Sequence, residues 1–442
     1  DYSIVNPSKL SIDLQFDVCQ RCHLQGNAVL KEGKSFYDFK PGKKLSDYIS
    51  VFLPKYANAD DEFIMASHAD RLKMSQCFVK SFNPTQATNK LKPYKDALTC
   101  VTCHNPHISV KVTGNEVFNN ACKNCHRPNG KSTLQECNDK NVLAALHNKQ
   151  GNAATSLTNC VGCHMPKSGS IDIPHVTVHD HYIRKPITKK EKEKIKTFLG
   201  LFAINDKTPD SLTKAKANIN QFEKFDQQQT HYLDTAQKYL SVKDKNNISK
   251  NFDALVQLYF LKNDYAKVSA IVNQLGKNEL LNNRLNKKSY DNMHAWTCYR
   301  IGESYNFQGK PNEALPFFEQ ADKLAPFVVE FKDKLATAYA STGNHNLAHQ
   351  YFNESLKENP KYVPTMANLG FLYLTEGNVQ MAEQLYKQAL ALDPDNENTL
   401  MNIAGMYNYK GNVVEAKNTL KQLLKKHTNN KNAAQIMAAL PK

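Results

Sequence analysis

Eight cysteines fall into four pairs of one spacing, Cys19/Cys22, Cys100/Cys103, Cys122/Cys125 and Cys160/Cys163, and a histidine follows each pair directly: His23, His104, His126 and His164. Three chemistries use a Cys-x-x-Cys pair: zinc ligation, dithiol exchange and covalent haem attachment. Zinc sites built from two such pairs and thioredoxin-like motifs do not require histidine at the next position. With 15 histidines in 442 residues, four such placements by composition alone have odds on the order of one in a million. The pattern therefore reads as four sites for covalently attached haem c. The two thiols of each pair add across the vinyl groups, and the following imidazole is the proximal iron ligand.

Each iron has a second axial face, and the same region holds spare imidazoles for it. The distal candidates are His68, His107, His147, His175 and His181, with His179 ranked behind them. Bis-histidine ligation gives lower reduction potentials than histidine with methionine. Met65 and Met74 are the alternative ligands, whereas Met165 adjoins the proximal His164 and is disfavoured for that haem. His107 stands three residues after His104, a reach of at most roughly 10 Å. That is too short to pass round a macrocycle, so His107 is expected to serve a neighbouring haem; the alternative is a polar surface residue. Among His175, His179 and His181, one ring is left to serve another haem, meet a propionate or orient a ligand from behind. Cys77 and Cys137 remain outside the motifs. They form a disulfide in an oxidising compartment or are two isolated buried thiols.

The rest of the sequence must position these groups. Ten of the eleven cysteines and ten of the histidines lie in residues 1–181, and Cys298 is alone beyond them. A composition of 41% hydrophobic and 22% charged residues is that of a globular protein. No window approaches the roughly 18 apolar residues of a membrane span, so no transmembrane segment is expected. The opening DYSIVNPSKL has no basic-then-apolar leader, so the chain reads as a processed mature form or as part of a longer one. The net charge of +15 and pI near 9.1 come without an aromatic-basic recognition motif, and haem propionates would offset much of the charge. Nucleic acid is not an expected partner.

Beyond Tyr182 the character changes. Residues 184–196 carry seven Lys/Arg against two Glu, and Thr188 with Glu191 has capping-box spacing, the sign of a helix start. Further on, Tyr305, Tyr339, Tyr373 and Tyr407 recur every 34 residues, as do Gly309, Gly343, Gly377 and Gly411, and Ala314, Ala348, Ala382 and Ala416. This period, with proline at Pro326, Pro360 and Pro394, is the tetratricopeptide pattern. Four units run over about 295–428, and NAAQIMAALPK supplies a closing helix. NFDALVQLYFLKNDYAKVSAIVNQL reads as a degenerate unit, while GKNELLNNRLNKKSYDN interrupts the period. The expected fold is thus mainly α: a loop-rich tetrahaem cytochrome c domain over 1–183, a basic helical linker over 184–205, and an α-helical repeat solenoid over 206–442. Trp296 and the periodic aromatics are expected to be core.

The series CQRCH, SHADRLKMSQC, CVTCHNPH, CKNCH, LHNKQG and CVGCHMP…IPHVTVHDHYIRKP resembles bacterial multihaem c-type cytochromes that carry tetratricopeptide repeats behind their haem domain. The resemblance covers roughly residues 15–186. It implies closely packed bis-histidine haems and a periplasmic, extracellular or cell-surface location. The expected role is electron transfer between a redox protein donor and an acceptor, without a substrate-converting site and with no catalytic residue assigned. The repeats are expected to hold a protein partner or to self-associate. The alternatives are a multihaem oxidoreductase with one open iron, and an assembly subunit such as a cytochrome filament protomer. Replacing Cys100 and Cys103 together with serine should remove the mass of one haem from the intact protein; an unchanged mass spectrum would refute attachment at that pair.

Overall fold

Helices dominate the computed structural model, which describes residues 5–57, 67–82, 97–126, 159–169, 177–185, 197–286 and 290–441. The chain divides into two units, Asp1–Tyr239 and Leu240–Lys442. Among the described residues, no helix is long and apolar enough to cross a membrane.

The first unit opens with α1 (Ile12–His23), followed by β1 (Asn27–Leu30) and β2 (Ile49–Ala57). Short helices come next: α2 (His68–Met74), α3 (Gln76–Ser81), α4 (Cys100–Cys103) and α5 (Val110–Thr113). Then follow α6 (Asn115–His126), α7 (Cys160–His164) and a small hairpin of β3 (Lys167–Gly169) with β4 (Thr177–His179). The unit ends with β5 (Thr197–Ala203), α8 (Ser211–Lys224) and α9 (His231–Tyr239).

Two apolar clusters hold these pieces. Ile12 and Phe16 of α1 pack on Ala69 and Leu72 of α2, with Ala97 beside them. Val29, Phe52 and Ala217 join the sheet to α8. The sheet is antiparallel with order β1-β2-β5, pairing Asn27 with Phe52 and Leu53 with Phe202. The buried Asn27 amide donates to the Ala217 carbonyl at 2.6 Å, fixing α8 over the sheet. Asp206 accepts from Lys31 and Ser50, both at 2.6 Å, tying the chain after β5 to the β1 and β2 ends.

This sheet corrects one expectation. The basic helical linker placed at 184–205 is a strand over Thr197–Ala203. TFLGLFA is rich in aromatic and apolar residues suited to a pleated surface, and the free edge of β2 supplies its hydrogen bonds. The unit boundary accordingly falls at Tyr239/Leu240 rather than near residue 206. The capping box at Thr188 and Glu191 lies outside the described residues.

The second unit is a run of helix pairs: α10 (Lys245–Leu261) with α11 (Tyr265–Leu275), α12 (Asn292–Phe307) with α13 (Pro311–Leu324), and α14 (Val329–Ser341) with α15 (His345–Glu358). It continues with α16 (Val363–Thr375) and α17 (Val379–Leu392), then α18 (Glu397–Tyr409) and α19 (Val413–Lys426), and α20 (Lys431–Ala439) closes it as expected. The interruption before α12 contains a π-helical turn at Leu280–Arg284.

The period has a steric basis. Gly309, Gly343, Gly377 and Gly411 stand at φ between 69° and 83° where the two helices of each pair reverse, and Asn263 (φ 56°) does the same in the degenerate unit. Glycine adopts this region freely and asparagine tolerates it. The next residue in three units, Asn344, Asn378 or Asn412, caps the second helix with its side chain. Ala314, Ala348, Ala382 and Ala416 are fully buried where the helices cross. At Gly302 and Gly370 the approach is closer still: a Cβ would stand 2.7 Å from the Phe318 ring and 2.6 Å from the Tyr386 ring. Gly370→Ala is expected to destabilise the repeat unit by roughly 1–3 kcal/mol through overpacking. A urea midpoint followed by far-ultraviolet circular dichroism checks this, and an unshifted midpoint would rule the tight crossing out.

Candidate functional site

All four Cys-x-x-Cys-His motifs lie on helices. Motifs one and three end α1 and α6, motif two is α4 with its following residue, and motif four is α7. A helix sets residues three apart on one face, so both thiols of each pair point the same way and the histidine sits beside them. The motifs also meet in pairs. The Cys19 and Cys100 thiols are hydrogen-bonded, joining motifs one and two. Cys122 contacts Cys160, and the Val161 N–H donates to Asn119 Oδ1 at 3.0 Å, joining motifs three and four.

These contacts set the thiol chemistry. The hydrogen bond from Cys100 pulls Cys19 down to about 7, while the same contact and burial push Cys100 up. Burial and then the Cys160 charge push Cys122 up to about 12, and burial raises Cys103. A thiol held protonated is a weak nucleophile, so Cys19 is better activated than Cys100, Cys103 or Cys122. Cys77 is also raised by burial and lies near enough to feel the Cys125 charge. The possible disulfide partner Cys137 lies outside the described residues.

Four imidazoles gather from four segments, two of them, His23 and His104, belonging to motifs one and two. The His23 and His68 ring centroids are 6.0 Å apart, His68 and His181 are 4.5 Å apart, and His181 and His104 are 6.1 Å apart. Their planes agree within 20°, 18° and 26° respectively. Burial, then the neighbouring His68, pushes His181 down to about 4, and burial also lowers His104. Both rings are therefore neutral at physiological pH, which is the metal-binding form.

Backbone carbonyls select the ring tautomer. His164 Nδ1 bonds to the Arg184 carbonyl at 2.9 Å, His179 Nδ1 to that of Met165 at 2.6 Å, and His181 Nδ1 to that of His179 at 2.9 Å. A carbonyl only accepts, so Nδ1 carries the proton and the lone pair of the neutral ring is at Nε2. This is how protein ligands are oriented from behind. His179 thus has the same ligand-ready form as His181, although its sequence position ranked it lower.

The residues that hold the cluster together were not singled out by sequence spacing. Arg71, three residues after His68, forms a bidentate ion pair with Asp180, Nε to Oδ1 at 2.9 Å and an η nitrogen to Oδ2 at 2.6 Å. The two side chains are 6% and 3% exposed, respectively. Arg71 and Arg184 also stand over the Tyr182 ring at 5.1 and 4.6 Å. Asp180 lies between His179 and His181, so this one pair sets the spacing of α2 and the HDH segment. The signal was present as an Arg near one candidate histidine and an Asp between two others, but nothing local joins positions 109 apart.

Other candidates lie apart from the cluster or beyond description. His107 is exposed, with its N–H bonded to Asn105 Oδ1. His126 ends α6, and Met74 ends α2. His147, His175 and Met65 lie outside the described residues. At the junction of motifs one and two, a cavity of about 10 Å³ is lined by Gln15, Cys19, Thr99 and Cys100 among others. Both amide atoms of Gln15 and the Thr99 hydroxyl are buried there without a hydrogen-bond partner among the described residues. Such orphaned atoms are costly unless a further group meets them. The neutral imidazoles, paired thiols and orphaned polar atoms together fit a covalently held haem environment. Among the described residues, no three His, Cys, Asp or Glu side chains converge as a bare-ion site.

Comparison with known proteins bears on the second unit. Tetratricopeptide repeat families match residues 297–327, 329–362 and 373–440, and the C-terminal region is a set of these repeats. Curated proteins give no match. Solved structures that resemble the chain include TTC0263, a thermophilic TPR protein in Thermus thermophilus (21% identity, TM-score 0.35, covering 44% of this chain and 98% of that one). YrrB, a TPR protein with an unusual peptide-binding site, matches at 18% identity and TM-score 0.30 over 44% of this chain and 96% of its own. MamA matches at 18% identity and TM-score 0.32 over 42% and 96%. Likenesses at these scores carry no argument about function.

Asp180→Asn should break the buried bidentate ion pair with Arg71. A loss of roughly 3–5 kcal/mol in the first unit is expected, read as an earlier unfolding transition together with increased amide exchange in α2. The tie would be disproved by wild-type exchange in that helix.

Proposed function

We propose that the chain is an exported electron carrier, periplasmic or at the cell surface, that binds four haem c groups in its first unit and a protein partner through its repeats. The observation that carries this reading is the fourfold Cys-x-x-Cys-His spacing, with neutral, tautomer-fixed imidazoles gathered beside the motifs. Haem so held supplies one-electron exchange between ferric and ferrous iron.

The chain's own residues would act as follows. Cys19 and Cys22, Cys100 and Cys103, Cys122 and Cys125, and Cys160 and Cys163 anchor the four groups, with His23, His104, His126 and His164 as proximal ligands. Two pairs of imidazoles, marked by the distance between their ring centroids, would hold two of these groups. His23 with His68, and His104 with His181, have separations of 6.0 and 6.1 Å. His68 and His181 stack on one another at 4.5 Å and would each serve a different group. His107, His147, His175 and His179 are the remaining distal candidates for His126 and His164. The Arg71–Asp180 pair orients His68 and His181, while the contacts of Cys19 with Cys100 and Cys122 with Cys160 keep the sites together in twos. Tetratricopeptide arrays present an extended protein-binding surface, which supports partner holding by the second unit.

Pyridine haemochrome quantification on the full chain, with carbon monoxide added to the reduced protein, tests the reading. Four haems and no carbon monoxide shift are expected, and a chain lacking Leu240–Lys442 should give the same spectrum. Absence of haem would refute the carrier role. A shift in about a quarter of the signal would reveal an open iron and replace the carrier with an enzyme.

A further inference from the structure

Residues 177–184, which carry His179 and His181, are tied on two sides. Their main chain follows motif four: the Asp180 N–H donates to the Pro166 carbonyl at 3.0 Å and the Arg184 N–H to the His164 carbonyl at 3.3 Å, while the Arg184 carbonyl accepts from His164 Nδ1 at 2.9 Å. Their side chains turn to α1 and α2. Asp180 pairs with Arg71, and Ile183 packs against the apolar cluster of Ile12, Phe16, Ala69 and Leu72.

Arg184 takes part in both attachments. One η nitrogen stands 3.8 Å from Asp180 Oδ2, and the guanidinium carbon lies 4.6 Å from the centre of the Tyr182 ring. The Tyr182 N–H in turn donates to Asp180 Oδ1 at 2.9 Å. One residue therefore touches the proximal histidine of motif four through its carbonyl, and the carboxylate beside His181 through its side chain. Each contact bears on an iron ligand. A carbonyl that accepts from Nδ1–H fixes the ring and raises the basicity of Nε2. The Arg184 and Asp180 side chains are only 16% and 3% exposed, so the guanidinium charge acts there at a dielectric well below that of water. It opposes any further positive charge on a metal held by the adjacent ring.

We infer that Arg184 is a positioning residue shared by two haem sites, orienting His164 with its main chain and setting the electrostatics around His181 with its guanidinium. This role deepens the electron-carrier reading and rests on it. The site of His104 with His181 and the site of His164 then draw on a common side chain.

Potentiometric titration of the full haem-loaded chain, resolved site by site through the proton resonances of the haem methyl groups, tests it. Arg184→Gln should lower the reduction potential of the His104–His181 site, because a cation that opposed the ferric charge is gone, and should shift the methyl resonances of the His164 site as the tie slackens. Arg184→Lys keeps the charge without the planar contact on Tyr182, and should bring the potential back towards that of the unaltered chain. An unchanged potential in Arg184→Gln, even where amide exchange over residues 177–184 rises, would make Arg184 a structural tie only and overturn the inference. A potential that Arg184→Lys fails to restore would overturn it as well. A full chain that shows no pyridine haemochrome is a different failure: it defeats the carrier reading, and the shared role of Arg184 falls with it.

Discussion

A guanidinium and a carboxylate sealed from water hold the candidate redox centre in register. Arg71 and Asp180 meet in a two-pronged geometry at 2.6 and 2.9 Å, and neither has enough exposure to trade its partner for solvent. Removing either charge would break a buried bidentate pair, to which Arg184 adds a second cation at 3.8 Å from Asp180, so the segments are held together. Those segments carry His68 on one side and His179 and His181 on the other. The 4.5 Å stacking of His68 on His181, and through it the near-6 Å spacings to His23 and His104, follow from this one attachment.

The two units solve the problem of a core differently. The repeats bury alanine, glycine and aromatic side chains at helix crossings spaced 34 residues apart, and each pair leans on the next. The first unit has little of this regularity. Its apolar clusters are small, its helices are mostly one or two turns, and its motif regions pack thiols and imidazoles against one another. Residues such as Gln15 and Thr99 keep polar atoms unpaired at the junction of two motifs. A protein interior does not normally accept this without a partner group.

The chemistry of the repeats is easily overlooked because most of their residues are packing. Tyr305 and Tyr339 pack at the crossings and donate their hydroxyls to Asn273 and Glu319, while the small residues answer to steric needs. Glu303, Glu330 and Asp333 join successive first helices through Lys334, Tyr299, and Thr365 with Asn368.

The thiol pairs, their histidines and the 34-residue period were readable from the residues alone, because motif spacing and helix crossing are local or strictly periodic constraints. The turn glycines and the closing helix α20 followed from the same regularity. Three features depended on tertiary structure. Thr197–Ala203 became a strand because β2, far away in the sequence, offered an unpaired edge. His179 gained its ligand-ready tautomer from the Met165 carbonyl, a neighbour in space that spacing alone does not identify. The Arg71–Asp180 pair joins residues 109 apart. Residue type and spacing report what a side chain can do, but which charge it meets, and in what dielectric, is set only when distant segments close on one another.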